Sequence, residues 1–240
     1  MLANIRVVLS NTSHPGNIGA TARAMKTMGL TRLLLVNPKV FPSAEATARA
    51  SGADDVLAAA EVYPDIESAL SGCRLVVGAS ARSRSIPCPV ISPAETARRA
   101  RAESEQSDVA LLFGCERSGL SNTEIDRCQY LVQIPANPEY ASLNLAAAVQ
   151  IICYEILVAH EQPGQGVAVP DDVPAASGEM ERFYQHHEET LIALEFLDPD
   201  NPRQLMRRLR RLYNRARPDE NEKNILRGML SASQQGLKRQ

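Results

Sequence analysis

Short apolar runs recur along the first two-thirds of the chain: IRVVL at 5–9, RLLLV at 32–36, RLVVG at 74–78, VALLFG at 109–114 and YLVQI at 130–134. Runs of this length, rich in Val, Leu and Ile and largely without polar alternation, are what strands buried on both faces look like. Between them the apolar positions follow a helical period at 18–28, 44–50, 66–70, 93–102 and 122–128. Strand–helix alternation predicts an α/β fold with a mainly parallel sheet covered on both faces. The tetrapeptide SNTE at 121–124 has the spacing of a capping box, and Gly29 suits the position just past the end of the first helix.

A longer helical pattern follows at 142–160. Leu143, Leu145, Val149, Ile151, Ile152, Ile156, Leu157 and Val158 cannot share one narrow stripe. Such a helix needs cover on several sides, from its own sheet and from a second subunit, so a homodimer is expected. Residues 163–178, with three prolines and three glycines, are expected to form a flexible linker between a domain at 1–162 and a small all-helical extension at 179–240. The extension should hold helices at 179–197, 202–216 and 220–233, with Pro202 in the first turn of the middle one. In that middle helix Leu205, Met206, Leu209, Leu212 and Tyr213 fall within an arc of roughly 120°, with arginines opposite.

Composition changes this picture little. The 240 residues are 44% hydrophobic and 22% charged, with a formal net charge of −2. Distribution matters more, because seven arginines and no acid lie between Arg203 and Arg217. A cationic face repels itself unless an anion neutralises it, which favours phosphate over an acidic membrane surface or protein as its partner. Aromatics amount to 4% with no Trp, which argues against an extended stacking platform. Five cysteines without C-x-x-C spacing fit a reducing cytoplasm. No apolar run reaches the ~18 residues of a membrane span, and the N-terminus lacks the pattern of a signal peptide.

Three blocks place turn-forming residues against a strand or a helix: NTSHPGNIGATARAMKTMGL at 11–30, VALLFGCERSGL at 109–120 and IPANPEYASLNLAAAVQIICY at 134–154. In the first, Gly16 and Gly19 would let the backbone bend at a helix start, where free N–H groups favour an anion. Arg23 and Lys26 share a face of that helix. In the second, Gly114 and Gly119 allow a flat ring to approach the main chain, and Glu116 is either a turn carboxylate or a ligand contact. In the third, Ser142 stands where a helix cap would. A fourth stretch, GASARSR at 78–84, carries two arginines away from a strand end. Dinucleotide-binding and Walker signatures are missing. The four histidines have no metal-ligand or triad spacing, so no metal is expected.

The order and spacing of the three blocks resemble the knotted SPOUT class of RNA 2′-O-ribose methyltransferases, over residues 1–160, and the Arg-rich tail resembles the extension of its tRNA-modifying branch. This resemblance implies a deep trefoil knot closed by the third block, S-adenosylmethionine as methyl donor, and a homodimer. It places Asn17, Arg23, Ser142 and Asn144 at the methyl-transfer site. It puts Ala79, Ser80, Ala81, Leu112, Gly114, Glu116, Ile134, Ala141, Ser142 and Leu143 around the cofactor. Arg82 and Arg84 would face RNA, as would Arg207, Arg208, Arg210, Arg211 and Arg215 of the tail. The implied reaction is methylation of the ribose 2′-hydroxyl of nucleotide 32, a cytidine or uridine, in the tRNA anticodon loop. A ribosomal RNA methyltransferase of the same fold and a non-catalytic RNA-binding protein are the alternatives.

Overall fold

A computed structural model describes residues 2–80, 88–161 and 173–237. Seven strands form one sheet: β1 (Ile5–Ser10), β2 (Arg32–Val36), β3 (Glu61–Tyr63), β4 (Cys73–Ala79), β5 (Val90–Ile91), β6 (Asp108–Phe113) and β7 (Tyr130–Val132). Their order is β3-β2-β1-β6-β4-β7-β5, and every pairing is parallel. The five expected strands are all present. The two missed ones are edge strands of two and three residues, too short and too exposed to carry an apolar pattern.

The helices α1 (Pro15–Thr27), α2 (Ala44–Ala50), α3 (Asp54–Ala58), α5 (Pro93–Ser104) and α7 (Leu145–Glu161) cover one face, with Ile18, Met25, Ala100, Val149 and Ile152 in its core. On the other face α4 (Ile66–Leu70) and α6 (Asn122–Ile125) close over Val8, Leu34, Val76 and Leu112. Ser121 and Glu124 form the reciprocal capping box. Gly29, at φ +77°, ends α1 as expected, with Leu30 N–H donating to the Met25 carbonyl.

The glycines of the first block act differently from expectation. Both lie inside α1 rather than in a bend, and a Cβ on Gly19 would sit 2.0 Å from the Ala46 carbonyl oxygen. Gly19 therefore sets the close approach of α2 to α1. Its anion-seeking helix start is also occupied from within the protein, as the site geometry shows.

Three further helices, α8 (Ser177–Ala193), α9 (Leu205–Ala216) and α10 (Glu220–Leu237), enclose a small core of Met180, Phe183 and Tyr184 with Tyr213, Leu226 and Leu230. α8 starts two residues earlier than expected. Residues 163–172 of the expected linker lie outside the described residues, and just before α8 Ala175 is buried with its N–H donating to Pro218 O. Pro202 precedes α9 instead of opening it.

α9 does not bury its apolar stripe alone. Tyr213 packs on the bundle core and Leu212 is 46% exposed, while Arg207, Arg210 and Arg211, with Arg217 just past the helix end, also bond acceptors within the chain. Arg207 forms two hydrogen bonds to Asp126 (2.6 and 3.0 Å), and Arg210 pairs with Glu181 (2.7 and 2.5 Å) and lies over the Tyr184 ring. Arg211 donates to the carbonyls of Cys128 and Gln129, both at 3.3 Å, and Arg217 reaches Glu103 at 2.8 Å. These acceptors come from α5, α8 and the turn between α6 and β7. A guanidinium satisfies several acceptors at once, which a leucine cannot.

Candidate active site

The carboxyl ends of β4, β6 and β7 open into a cleft with about 870 Å³ of empty space, its open mouth included. Ala79 and Ser80 leave β4, Gly114 to Gly119 leave β6, and Val132 and Ile134 leave β7; Ala141, Ser142 and Leu143 form the opposing wall. Ligand crevices in parallel sheets sit at this end because the connecting loops there diverge.

Of the expected cofactor residues, Ala79, Ser80, Gly114, Glu116, Ile134, Ala141, Ser142 and Leu143 line this cleft. Leu112 does not. It is fully buried on the opposite face of the sheet, against Val8 and Leu34, and its neighbour Phe113 takes the cleft position. Successive side chains on a strand point to opposite faces, so a motif residue one place off lands in the wrong layer. Ala81, Arg82 and Arg84 lie outside the described residues.

Gly114 shapes the floor. A Cβ there would meet Gly119 C, Leu120 N and Gly119 O at 2.3, 2.4 and 2.5 Å. The loop folds back on itself through Gly119 N–H donating to Cys115 O at 2.7 Å. The result is a bare main-chain surface beside apolar Phe113, Val132 and Ile134, which suits a flat heteroaromatic ring with polar edges.

Glu116 joins the three sequence blocks. Its Oε2 accepts from Ser13 N–H (3.0 Å) and Ser13 Oγ (2.8 Å), and its Oε1 from His14 N–H (3.2 Å) and Asn17 Nδ2 (2.9 Å). The anion at the start of α1 is thus the protein's own carboxylate. Asn17 Oδ1 in turn accepts from Asn144 Nδ2 at 3.1 Å, and Asn144 Oδ1 accepts from Ala146 N–H, capping α7. Asn144, not Ser142, is therefore the helix cap, since α7 begins at Leu145. That leaves the Ser142 hydroxyl at the cleft wall with no hydrogen-bond partner among the described residues.

Partial burial raises the Glu116 pKa, but the hydrogen bonds from Asn17 and Ser13 outweigh it and bring it to about 2. A depressed carboxylate contributes stability that is complete above its unfolded value of about 4.3 and is lost as pH falls through the folded value. The stability difference between wild type and Glu116→Gln should accordingly be constant from pH 7 to about 5 and shrink between about pH 4.3 and 2. Denaturant unfolding across that range checks this; a flat difference at every pH would show the network to be weak.

Arg23 is exposed on α1, outside this chain's own cleft, and its side chain bonds no described residue. The motifs did not single out Arg117, which lines the cleft, is exposed and has no partner among the described residues. Its only signal was a cation inside the glycine turn of the second block. Among the tail residues expected to face RNA, Arg207, Arg210 and Arg211 bond acceptors within the chain. Arg208 and Arg215 are exposed with no partner among the described residues, as is Arg203.

This division yields opposite expectations. Arg207→Ala strips a half-buried Asp126 of two charge-assisted bonds and should cost about 1.5–3 kcal/mol of docking, seen as faster hydrogen exchange in α9. Arg208→Ala should leave exchange unchanged. Equal protection in both variants would contradict the assignment.

Residues 4–154 match the SpoU rRNA Methylase family, and residues 178–240 match the C-terminal domain of the tRNA methyltransferase TrmJ. The chain is 52% identical over 239 residues, 98% of each chain, to the tRNA (cytidine/uridine-2′-O-)-methyltransferase TrmJ of Klebsiella pneumoniae. The crystal structure of TrmJ from Z. mobilis superposes with a TM-score of 0.84 at 34% identity, covering 95% of this chain and 97% of that one. A probable methylase family protein from Haemophilus influenzae follows, with a TM-score of 0.65 at 41% identity over 99% of both chains. A sheet whose cleft is walled by the three blocks, followed by the helical extension, is thus shared with these proteins from end to end, and the chain belongs to the SpoU methylase family, in its TrmJ group.

Proposed function

We propose that the protein transfers a methyl group from S-adenosylmethionine to the ribose 2′-hydroxyl of a cytidine or uridine at nucleotide 32 of the tRNA anticodon loop. The observation that carries this reading is the Glu116–Asn17–Asn144 hydrogen-bond chain, which ties all three motif blocks together beside one glycine-floored cleft. The family's methyl donor is S-adenosylmethionine, and the cleft residues fit it. Gly114 has no room for a side chain, and Ala79, Ile134 and Leu143 offer apolar contact for a nucleoside. Bound there, the donor supplies an electrophilic methyl on a positive sulfur that leaves as a neutral thioether.

The chain's own work is then to seat the ribose and manage one proton. Ser142 Oγ, free at the wall, is placed to accept or relay the hydroxyl proton. Arg23 supplies a planar guanidinium that stabilises the developing alkoxide and holds an adjacent phosphate.

Because Arg23 stands outside its own chain's cleft, it serves the cleft of a second protomer. Homodimerisation is further supported by a partly uncovered stripe on α7: Ala147, half-buried Ile151 and Tyr154 lie at helical spacing, and Tyr154 is 52% exposed. The C-terminal bundle bonds residues at the amino ends of β4 and β7, roughly 10–17 Å along the strands from the cleft.

Mass spectrometry of tRNA from cells lacking the protein should show one ribose methyl missing at nucleotide 32, restored by the wild-type gene. A methyl missing from ribosomal RNA instead would move the enzyme to another substrate.

A further inference from the structure

We propose that Tyr140 is the stacking platform for the base of the target nucleotide, a specificity contact that rests on the methyltransferase reading above. In a chain with 4% aromatics and no Trp, Tyr140 is 79% exposed, more than any other large apolar side chain among the described residues. Burying such a ring is favourable, and nothing described within the chain covers it. Its position is specific. Ala141 and Ser142, the next two residues, both line the cleft, so the Tyr140 Cα lies within ~7.6 Å of the Ser142 Cα.

The backbone that presents the ring is set in advance. Asn137 Oδ1 accepts from Glu139 N–H at 3.0 Å, Asn137 O accepts from Tyr140 N–H at 2.9 Å, and Pro138 restricts the backbone between them. A presented aromatic with only two side-chain torsions to fix loses little entropy on contact. Its hydroxyl has no hydrogen-bond partner among the described residues. The exposed Arg117 lines the cleft that Ala141 and Ser142 wall, and offers a phosphate partner there.

The chemistry this arrangement recognises is a loop nucleotide whose base is splayed out of its stack. Proteins read such bases by stacking them on aromatic rings, which leaves the ribose presented edge-on to a neighbouring site. Stacking tolerates every base but requires that one be present, so Tyr140 would select for an unstacked nucleotide with an intact base.

The test uses the full-length protein and two tRNA transcripts, one natural at nucleotide 32 and one with a ribose there but no base. On natural tRNA, Tyr140→Ala should lower kcat/KM about ten- to hundredfold, and Tyr140→Phe should stay within about threefold of wild type. On the abasic transcript, wild type should fall by a similar factor, and Tyr140→Ala should add no more than about a further twofold, because the partner ring has nothing to stack on. S-adenosylmethionine affinity and dimer mass should be unchanged in Tyr140→Ala. The inference is overturned if the two losses multiply on the abasic transcript, if Tyr140→Ala is as active as wild type, or if it loses cofactor binding or dissociates. Should wild type itself methylate neither transcript, the functional reading fails and takes the stacking role with it.

Discussion

Arg23→Ala should lower turnover by about a hundred- to a thousandfold while cofactor affinity stays within about twofold of wild type. The side chain is exposed, bonds no described residue and lies outside its own chain's cleft, so its removal leaves no buried partner stranded and no packing lost. The variant should therefore unfold at the wild-type temperature. On the proposed reading, what it lacks is the guanidinium beside the ribose oxygen on which negative charge grows. Interactions made mainly in the transition state appear in kcat rather than in ground-state binding. Arg23→Lys should recover only part of the loss, since a point charge on a flexible stem cannot hold a phosphate and an alkoxide in one plane. Stopped-flow methyl transfer under single-turnover conditions, alongside calorimetry with S-adenosylmethionine, separates the two quantities. A variant that turns over normally, or one that loses cofactor affinity by the same factor as rate, defeats the assignment.

A mixing experiment extends the same argument. If Arg23 serves a second protomer's cleft, an inactive Arg23→Ala chain and an inactive Ser142→Ala chain should complement when combined. One of the two clefts in a heterodimer then holds a wild-type Ser142 and faces a wild-type Arg23. Recovery of about a quarter of wild-type activity is the expected ceiling for random pairing, in which half the dimers are mixed and each has one complete cleft. No recovery from verified heterodimers would place both residues on the same chain's site.

How much of this was legible without coordinates depended on what each signal measures. Apolar runs report burial on both faces, so the central strands were found to within a residue or two, while β3 and β5, at the sheet edges, left no trace. Turn glycines and caps are local, and the capping box at Ser121 and Glu124 formed as expected. The cleft was legible through resemblance: eight of the expected cofactor residues line it, and Leu112 failed only because strand side chains alternate between faces.

Non-local partners were the blind spot. Sequence left Glu116 open between a turn and a ligand role, because Ser13 and Asn17 lie about a hundred residues away. Amphipathic periodicity says which α9 residues share a side, not which acceptors that side meets. Those acceptors, Asp126, Glu181 and Glu103, come from three other segments.

The second large effect belongs to Gly114. A methyl group there would lie 2.3–2.5 Å from the backbone of Gly119 and Leu120, far inside contact distance, and backbone cannot swing aside as a long side chain can. Gly114→Ala must open the loop that the Gly119-to-Cys115 hydrogen bond closes. Overpacking of this kind costs about 1–3 kcal/mol of stability. The functional loss should be larger, because the same loop carries Glu116, whose four hydrogen bonds position Ser13, His14 and Asn17. Displacing it removes the cleft floor and unties the first block from the second. S-adenosylmethionine affinity should fall at least about a hundredfold, corresponding to roughly 2.7 kcal/mol, while the sheet and the helical bundle persist. The informative control is Gly52→Ala, where φ is +89° and nothing lies within 4 Å of the added methyl. That change carries only backbone strain of roughly 1–2 kcal/mol far from the cleft, and should destabilise the chain comparably without touching cofactor affinity. If both variants lose affinity alike, general loosening of the fold explains the defect. If only Gly114→Ala does, the bare main chain at the end of β6 is the surface that holds the donor.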